Sequence, residues 1–136
     1  MKSIVVFCGA NKGAHPIYEE TARLVGKMLA QRDIRLVYGA GNIGLMGAMA
    51  DAALEHDGYV VGVIPYFLKE KEVCHHDLTE LHVVDSMHER KIVMAKLSDA
   101  VLVLPGGFGT LDEVFEMLTL VQLGQEQQPI GVLNVN

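Results

Sequence analysis

The 136-residue chain predicts an α/β fold, a single domain over residues 1–136 with a parallel sheet covered by helices on both faces. Three observations predict it. Six short runs are apolar and β-branched on successive residues, as in strands buried on both sides. Helix-like stretches separate most of these runs, and that order makes right-handed βαβ units. Glycine clusters stand at the carboxyl ends of three of the strands.

The first strand is 4–8, in "MKSIVVFCGA". A lysine before an apolar run resembles a secretion signal, but the run is too short and Asn11 and Lys12 come directly after it. Pro16 suits a helix's first turn, and Ile17, Leu24, Val25, Met28 and Leu29 then form an apolar stripe. A strand over 34–38 leads to an Ala-, Leu- and Met-rich helix over 43–56, closed at Gly58. After the strand 59–64, residues 65–79 are the least regular and read as a long loop with one helical turn. Strand 81–84, helix 86–97, strand 100–104 and helix 110–123 come next, the last stopped at Gly124. The strand 130–135 ends the pattern, and the chain stops at Asn136 with no helix to cover it, which reads as a truncated domain.

Composition excludes several classes. A net charge of −6 with no cluster of Lys and Arg argues against a nucleic-acid surface. No segment approaches the roughly 20 apolar residues that span a bilayer. Two cysteines, Cys8 and Cys74, make no disulfide framework, so a reducing cytoplasm is expected.

Parallel sheets bind ligands outside the carboxyl ends of their strands. The turn "YGAGNIGLMG" contains Gly39-x-Gly41-x-x-Gly44, formally a dinucleotide fingerprint. That reading also needs an acidic residue at the end of the next strand, where Ile64 and Pro65 stand instead, so no nicotinamide cofactor is expected. A tight turn with close packing is the alternative for these glycines. The stretch "LPGGFGTLDE" is more specific. Gly106, Gly107 and Gly109 bare successive N–H groups ahead of a helix N-terminus, and the Thr110 hydroxyl adds a donor, so the loop suits a phosphate. No lysine comes after the last glycine, so it is no nucleotide-hydrolysing P-loop.

Thr110-x-x-Glu113 is also a capping box. The apolar stripe Leu111, Val114, Phe115, Leu118 and Val121 nevertheless places Glu113 beside the core face, toward the ligand end. A carboxylate there would repel phosphate unless it served a neighbouring sugar hydroxyl or water. In "DSMHERK", Ser86-x-x-Glu89 is a second capping box, and Met87, Arg90, Lys91 and Met94 share a helix face. Two readings of Arg90 stay open, a solvated side chain or one that reaches the same crevice. Cys74-His75-His76-Asp77 is too contiguous for the usual zinc spacings, and no metal is expected.

On the motifs PGGFGTLDE, YGAGNIGLMG and SMHERK, the chain resembles the lonely guy family of cytokinin riboside 5′-monophosphate phosphoribohydrolases. The likeness covers essentially the whole chain. It implies a Rossmann-like, doubly wound fold without the family's C-terminal helices, and a homodimer or larger assembly. It implies cleavage of adenine-type nucleoside monophosphates by Arg90 and Glu113, with Gly106, Gly107, Gly109 and Thr110 on the phosphate. Gly41, Met87 and Lys91 complete the candidate substrate-binding set. Ala10 and Asn11 replace the family's phosphate-binding serines, and Ala40 makes a mild change in its YGGG turn. No lysine sits in a pyridoxal-phosphate context, so no cofactor is expected. A non-catalytic nucleotide- or molybdopterin-binding protein, or a DNA-processing relative, of the same fold is the alternative.

Overall fold

The β-branched runs fold into a six-stranded sheet in a computed structural model that describes residues 2–8, 16–69, 74–104 and 130–132. The strands are β1 (Ser3–Phe7), β2 (Arg35–Tyr38), β3 (Val60–Pro65), β4 (Glu80–Val84), β5 (Ala100–Val103) and β6 (Ile130–Val132). All pairings are parallel, in the order β4-β3-β2-β1-β5-β6. Helices α1 (Pro16–Gln31), α2 (Gly44–Glu55), α3 (Tyr66–Lys69) and α4 (Met87–Lys96) lie between strands. The expected single helical turn after β3 is α3. The expected helix over 110–123 and the end of the last strand lie outside the described residues.

Neighbouring strand residues serve opposite faces. Val6, Leu36, Tyr38 and Val60 pack with Leu29, Leu45, Met49 and Ala53 of α1 and α2. Val5, Phe7, Val37, Val61 and Val63 pack with Met94 and Ala95 of α4 on the other side. Apart from the β4 edge, where Leu81 and Val83 are exposed, the sheet is thus covered on both faces, which is why the inner runs carry no polar alternation. From β4 at one edge the chain returns through α4 to β5 on the far side of β1, so the strand order reverses between β1 and β5. A crevice opens at such a reversal, outside the carboxyl ends of the strands.

One helix face differs from expectation. Leu24 and Met28 are exposed, and the side of α1 turned inward carries Ala22, Gly26, Leu29 and Ala30. Small residues let the α2 backbone come close, and a Cβ on Gly26 would stand only 2.2 Å from the Met49 carbonyl oxygen. Gly26→Ala must therefore force α1 and α2 apart. A loss of about 1–3 kcal/mol is expected from such overpacking, read as a lowered urea midpoint.

β1 is tied to the chain entering β5. The Asp99 carboxylate accepts from the Lys2 and Ser3 N–H groups at 2.7 and 3.0 Å, and these bonds hold it below the usual carboxylate range. The Ser3 hydroxyl donates to the Leu97 carbonyl at 2.6 Å.

Candidate functional site

The turn after β2 and the C-terminal half of β3 meet one side chain, Arg90 of the helix that comes after β4. Ser86 caps α4 by accepting from the Glu89 N–H at 3.0 Å, while the Glu89 carboxylate accepts from the Asp85 N–H at 3.1 Å. The expected capping box thus forms, with its return bond one residue upstream of the cap. One turn into this helix, Arg90 turns inward and is only 5% exposed. Its Nε–H donates to the Val63 carbonyl at 2.9 Å, and Nη2 donates to the Gly39 carbonyl at 2.7 Å. Nη1 lies 3.8 Å from the Met87 sulfur. The solvated reading of Arg90 is therefore overturned.

A guanidinium has five N–H donors, and two carbonyls do not exhaust them. Among the described residues no carboxylate pairs with Arg90. Burying a cation costs several kcal/mol unless an anion or a full set of acceptors compensates it. The arrangement is suited to receive an anionic or oxygen-rich ligand.

The glycines of the second turn find structural reasons here. A Cβ on Gly39 would lie 2.3 Å from Arg90 Nη2, so the missing side chain is the space the guanidinium occupies. Gly41 is buried, pairs with Cys74 across an isolated bridge, and accepts the Tyr38 hydroxyl at 2.8 Å. Burial, reinforced by nearby Cys74, Asp51 and Cys8, pushes the Tyr38 hydroxyl far up, so it remains a donor to this turn. Ala40 between the two glycines has φ 68°, in the left-handed region. The replacement expected to be mild is therefore strained, at a cost of roughly 1–2 kcal/mol. Ala40→Gly is expected to stabilise the chain by up to about 1 kcal/mol, after allowing for glycine's greater freedom when unfolded, and a raised melting temperature would show it.

Met87 is half-buried beside Arg90, and Lys91 is buried at the next position of the helix. Met94 of the same helix face is 1% exposed and belongs to the core under α4. Gly106, Gly107, Gly109, Thr110 and Glu113 lie outside the described residues, as do Ala10 and Asn11. They are bracketed in sequence by Leu104, whose N–H donates to the Phe7 carbonyl at 2.8 Å, and by Cys8, so both segments depart from neighbouring strand ends at the reversal.

Several participants carry no sequence signal of their own. The Val63 carbonyl contributes backbone alone. Tyr38 reads as one more apolar strand residue. A cavity of about 240 Å³ opens where α2 begins, lined by Glu19, Arg23, Asn42, Gly44 and Asp51 among others. Within the Cys74–Asp77 stretch His75 is engaged, its Nε2 2.6 Å from Asp51 Oδ1 and its Nδ1 accepting from the Asp77 N–H. No helix among the described residues is long and apolar enough to cross a membrane.

A family model described as "Possible lysine decarboxylase" matches residues 46–136. The chain is 51% identical over 136 residues to a cytokinin riboside 5′-monophosphate phosphoribohydrolase of Rhodococcoides fascians, covering 99% of this chain and 69% of that protein. A protein of the same name from Oryza sativa subsp. japonica is 47% identical over 137 residues, with 99% and 56% covered. The chain thus spans between about half and two thirds of the relatives it matches. Among solved structures, a molybdenum cofactor binding protein from Rippkaea orientalis superposes with TM-score 0.79 at 24% identity, covering 100% of this chain and 78% of that one. That likeness shows the Rossmann-like fold alone.

Proposed function

The chain belongs to the family described as "Possible lysine decarboxylase", the lonely guy family of cytokinin riboside 5′-monophosphate phosphoribohydrolases, and from that membership we propose that it hydrolyses the N-glycosidic bond of adenine-type nucleoside 5′-monophosphates. The products are the free base and ribose 5-phosphate. The observation that carries the reading is Arg90, a buried cation seated on the Gly39 and Val63 carbonyls that no carboxylate among the described residues pairs.

In this reading the backbone N–H groups of Gly106, Gly107 and Gly109, with Thr110, take the 5′-phosphate. Gly41, Met87 and Lys91 line the approach. Cleavage of the glycosidic bond leaves its electron pair on the departing base and an oxocarbenium-like sugar behind. The Glu113 carboxylate stabilises that positive charge and takes a proton from the water that adds to the anomeric carbon. Arg90 holds phosphate or ribose oxygens and keeps Glu113 in register. Preorganised charges in a dry site act strongly because they need not reorient as the charge develops.

Incubation with AMP and with an isopentenyladenosine monophosphate, then separation of base from ribose 5-phosphate, tests the proposal. Release of base from either supports it. Tight binding without product on both would instead favour a nucleotide carrier.

A homodimer or larger assembly in the cytoplasm belongs to the same reading. Support for it comes from the β4 edge and the neighbouring α3, where Leu81, Val83, Tyr66 and Phe67 are exposed. Light scattering at high concentration is expected to give at least twice the chain mass, and a monomer would count against the assembly.

A further inference from the structure

Resting on that function, we propose that His75 and Asp51 are a positioning pair for Arg90, locking the turn whose Gly39 carbonyl seats the guanidinium. The segment from Cys74 to Asp77 lies along that turn. Cys74 pairs with Gly41 in antiparallel fashion, and the His75 N–H donates to the Ala40 carbonyl at 2.9 Å. The His75 side chain is 4% exposed and bonded at both ring nitrogens. Nδ1 accepts from the Asp77 N–H at 3.1 Å, so the ring proton sits on Nε2 and is donated to Asp51 Oδ1 at 2.6 Å.

Asp51 stands on α2, the helix that the turn opens into. The segment is therefore fastened to the turn by backbone and to the helix after it by the histidine ring. A turn with Ala40 at φ 68° persists only when its surroundings over-determine it. Tyr38 supplies one restraint from below, at Gly41, and His75 supplies the other, at Ala40. The residue in between these strand-end contacts and Arg90 is Gly39, whose carbonyl accepts Nη2 at 2.7 Å. If the turn relaxes, Arg90 loses its seat on the Gly39 carbonyl, keeps the bond to the Val63 carbonyl, and its guanidinium loses its aim.

The test is steady-state base release, with thermal melts, on the full chain carrying His75→Ala, His75→Gln, Asp51→Ala and Arg90→Ala. His75→Ala and Asp51→Ala are each expected to lower kcat about tenfold while KM stays within about threefold, since misplacement of a catalytic group acts on the chemical step. Their combination should be no worse than either. His75→Gln, whose amide can still donate to Asp51, should recover most of the loss. In an Arg90→Ala background, His75→Ala should change the residual rate by less than about twofold, because its effect passes through Arg90. Asp51 is half-exposed, so Asp51→Ala serves the same comparison if His75→Ala does not fold. Normal kcat in both alanine variants, or an unchanged tenfold effect without Arg90, would overturn the pairing alone. Full activity in Arg90→Ala itself would overturn the catalytic reading and the pairing with it.

Discussion

Arg90→Ala is expected to lower base release from AMP by about 10²–10³-fold, the scale on which a single preorganised charge-stabilising group acts. Glu113→Gln should do the same, and the double variant should be little worse than either, because groups acting as a unit are strongly non-additive. Stability should move far less than activity. Removing Arg90 leaves two carbonyls without a donor but also removes the cost of burying a charge that no carboxylate among the described residues offsets. Gln at position 113 still completes a capping box with Thr110, so its melting temperature should hold. If Glu113 merely caps its helix, Glu113→Gln will keep near-normal turnover and Glu113→Ala will cost about 1 kcal/mol of stability. Full activity in Glu113→Gln would end its catalytic assignment.

Gly39→Ala is expected to approach Arg90→Ala in severity although it replaces no group that contacts substrate. The added methyl would fall 2.3 Å from Nη2 and 3.3 Å from Cζ, inside the volume of the guanidinium. Gly39 is not among the positions with positive φ, so alanine fits its backbone and the fold can form. The long arginine side chain yields instead, which limits the stability loss to about 1–3 kcal/mol. A loss of kcat of about 10²-fold beside a modest drop in melting temperature is the expected pattern. Unchanged kcat in this variant would show that the seat on the Gly39 carbonyl is dispensable.

The alternating elements are legible in this sequence because strands buried on both faces write themselves as unbroken apolar runs. Val5 and Val6 are both core residues, facing opposite helices. The face of α1 is not legible in the same way. Counting large apolar side chains selects Leu24 and Met28, whereas the contact with α2 uses Ala22 and Gly26, whose value lies in what they omit. The same logic hides the role of Gly39. Its motif suggests a ligand's pyrophosphate, and the group that comes close is an arginine 51 residues away. Arg90 itself is ambiguous in sequence because a capping box precedes it whether it points out or in. Only the carbonyls of Gly39 and Val63, invisible as residue types, decide that.

The place of β1 carries a consequence for how this chain acquires its shape. The strand stands between β2 and β5, and the amide of its first residue, Ser3, reaches a carboxylate 96 residues further on. The half of the sheet from β1 to β4 is built from successive neighbours and can assemble strand by strand in chain order. The other half cannot begin until Asp99 and β5 arrive to claim the free edge of β1. Until then that edge presents unpaired N–H and C=O groups on an apolar strand, a template for any stray partner. On a ribosome working at about 5–20 residues per second, the exposure lasts for seconds. The crevice, which lies at that same seam between β1 and β5, cannot exist before β5 has docked.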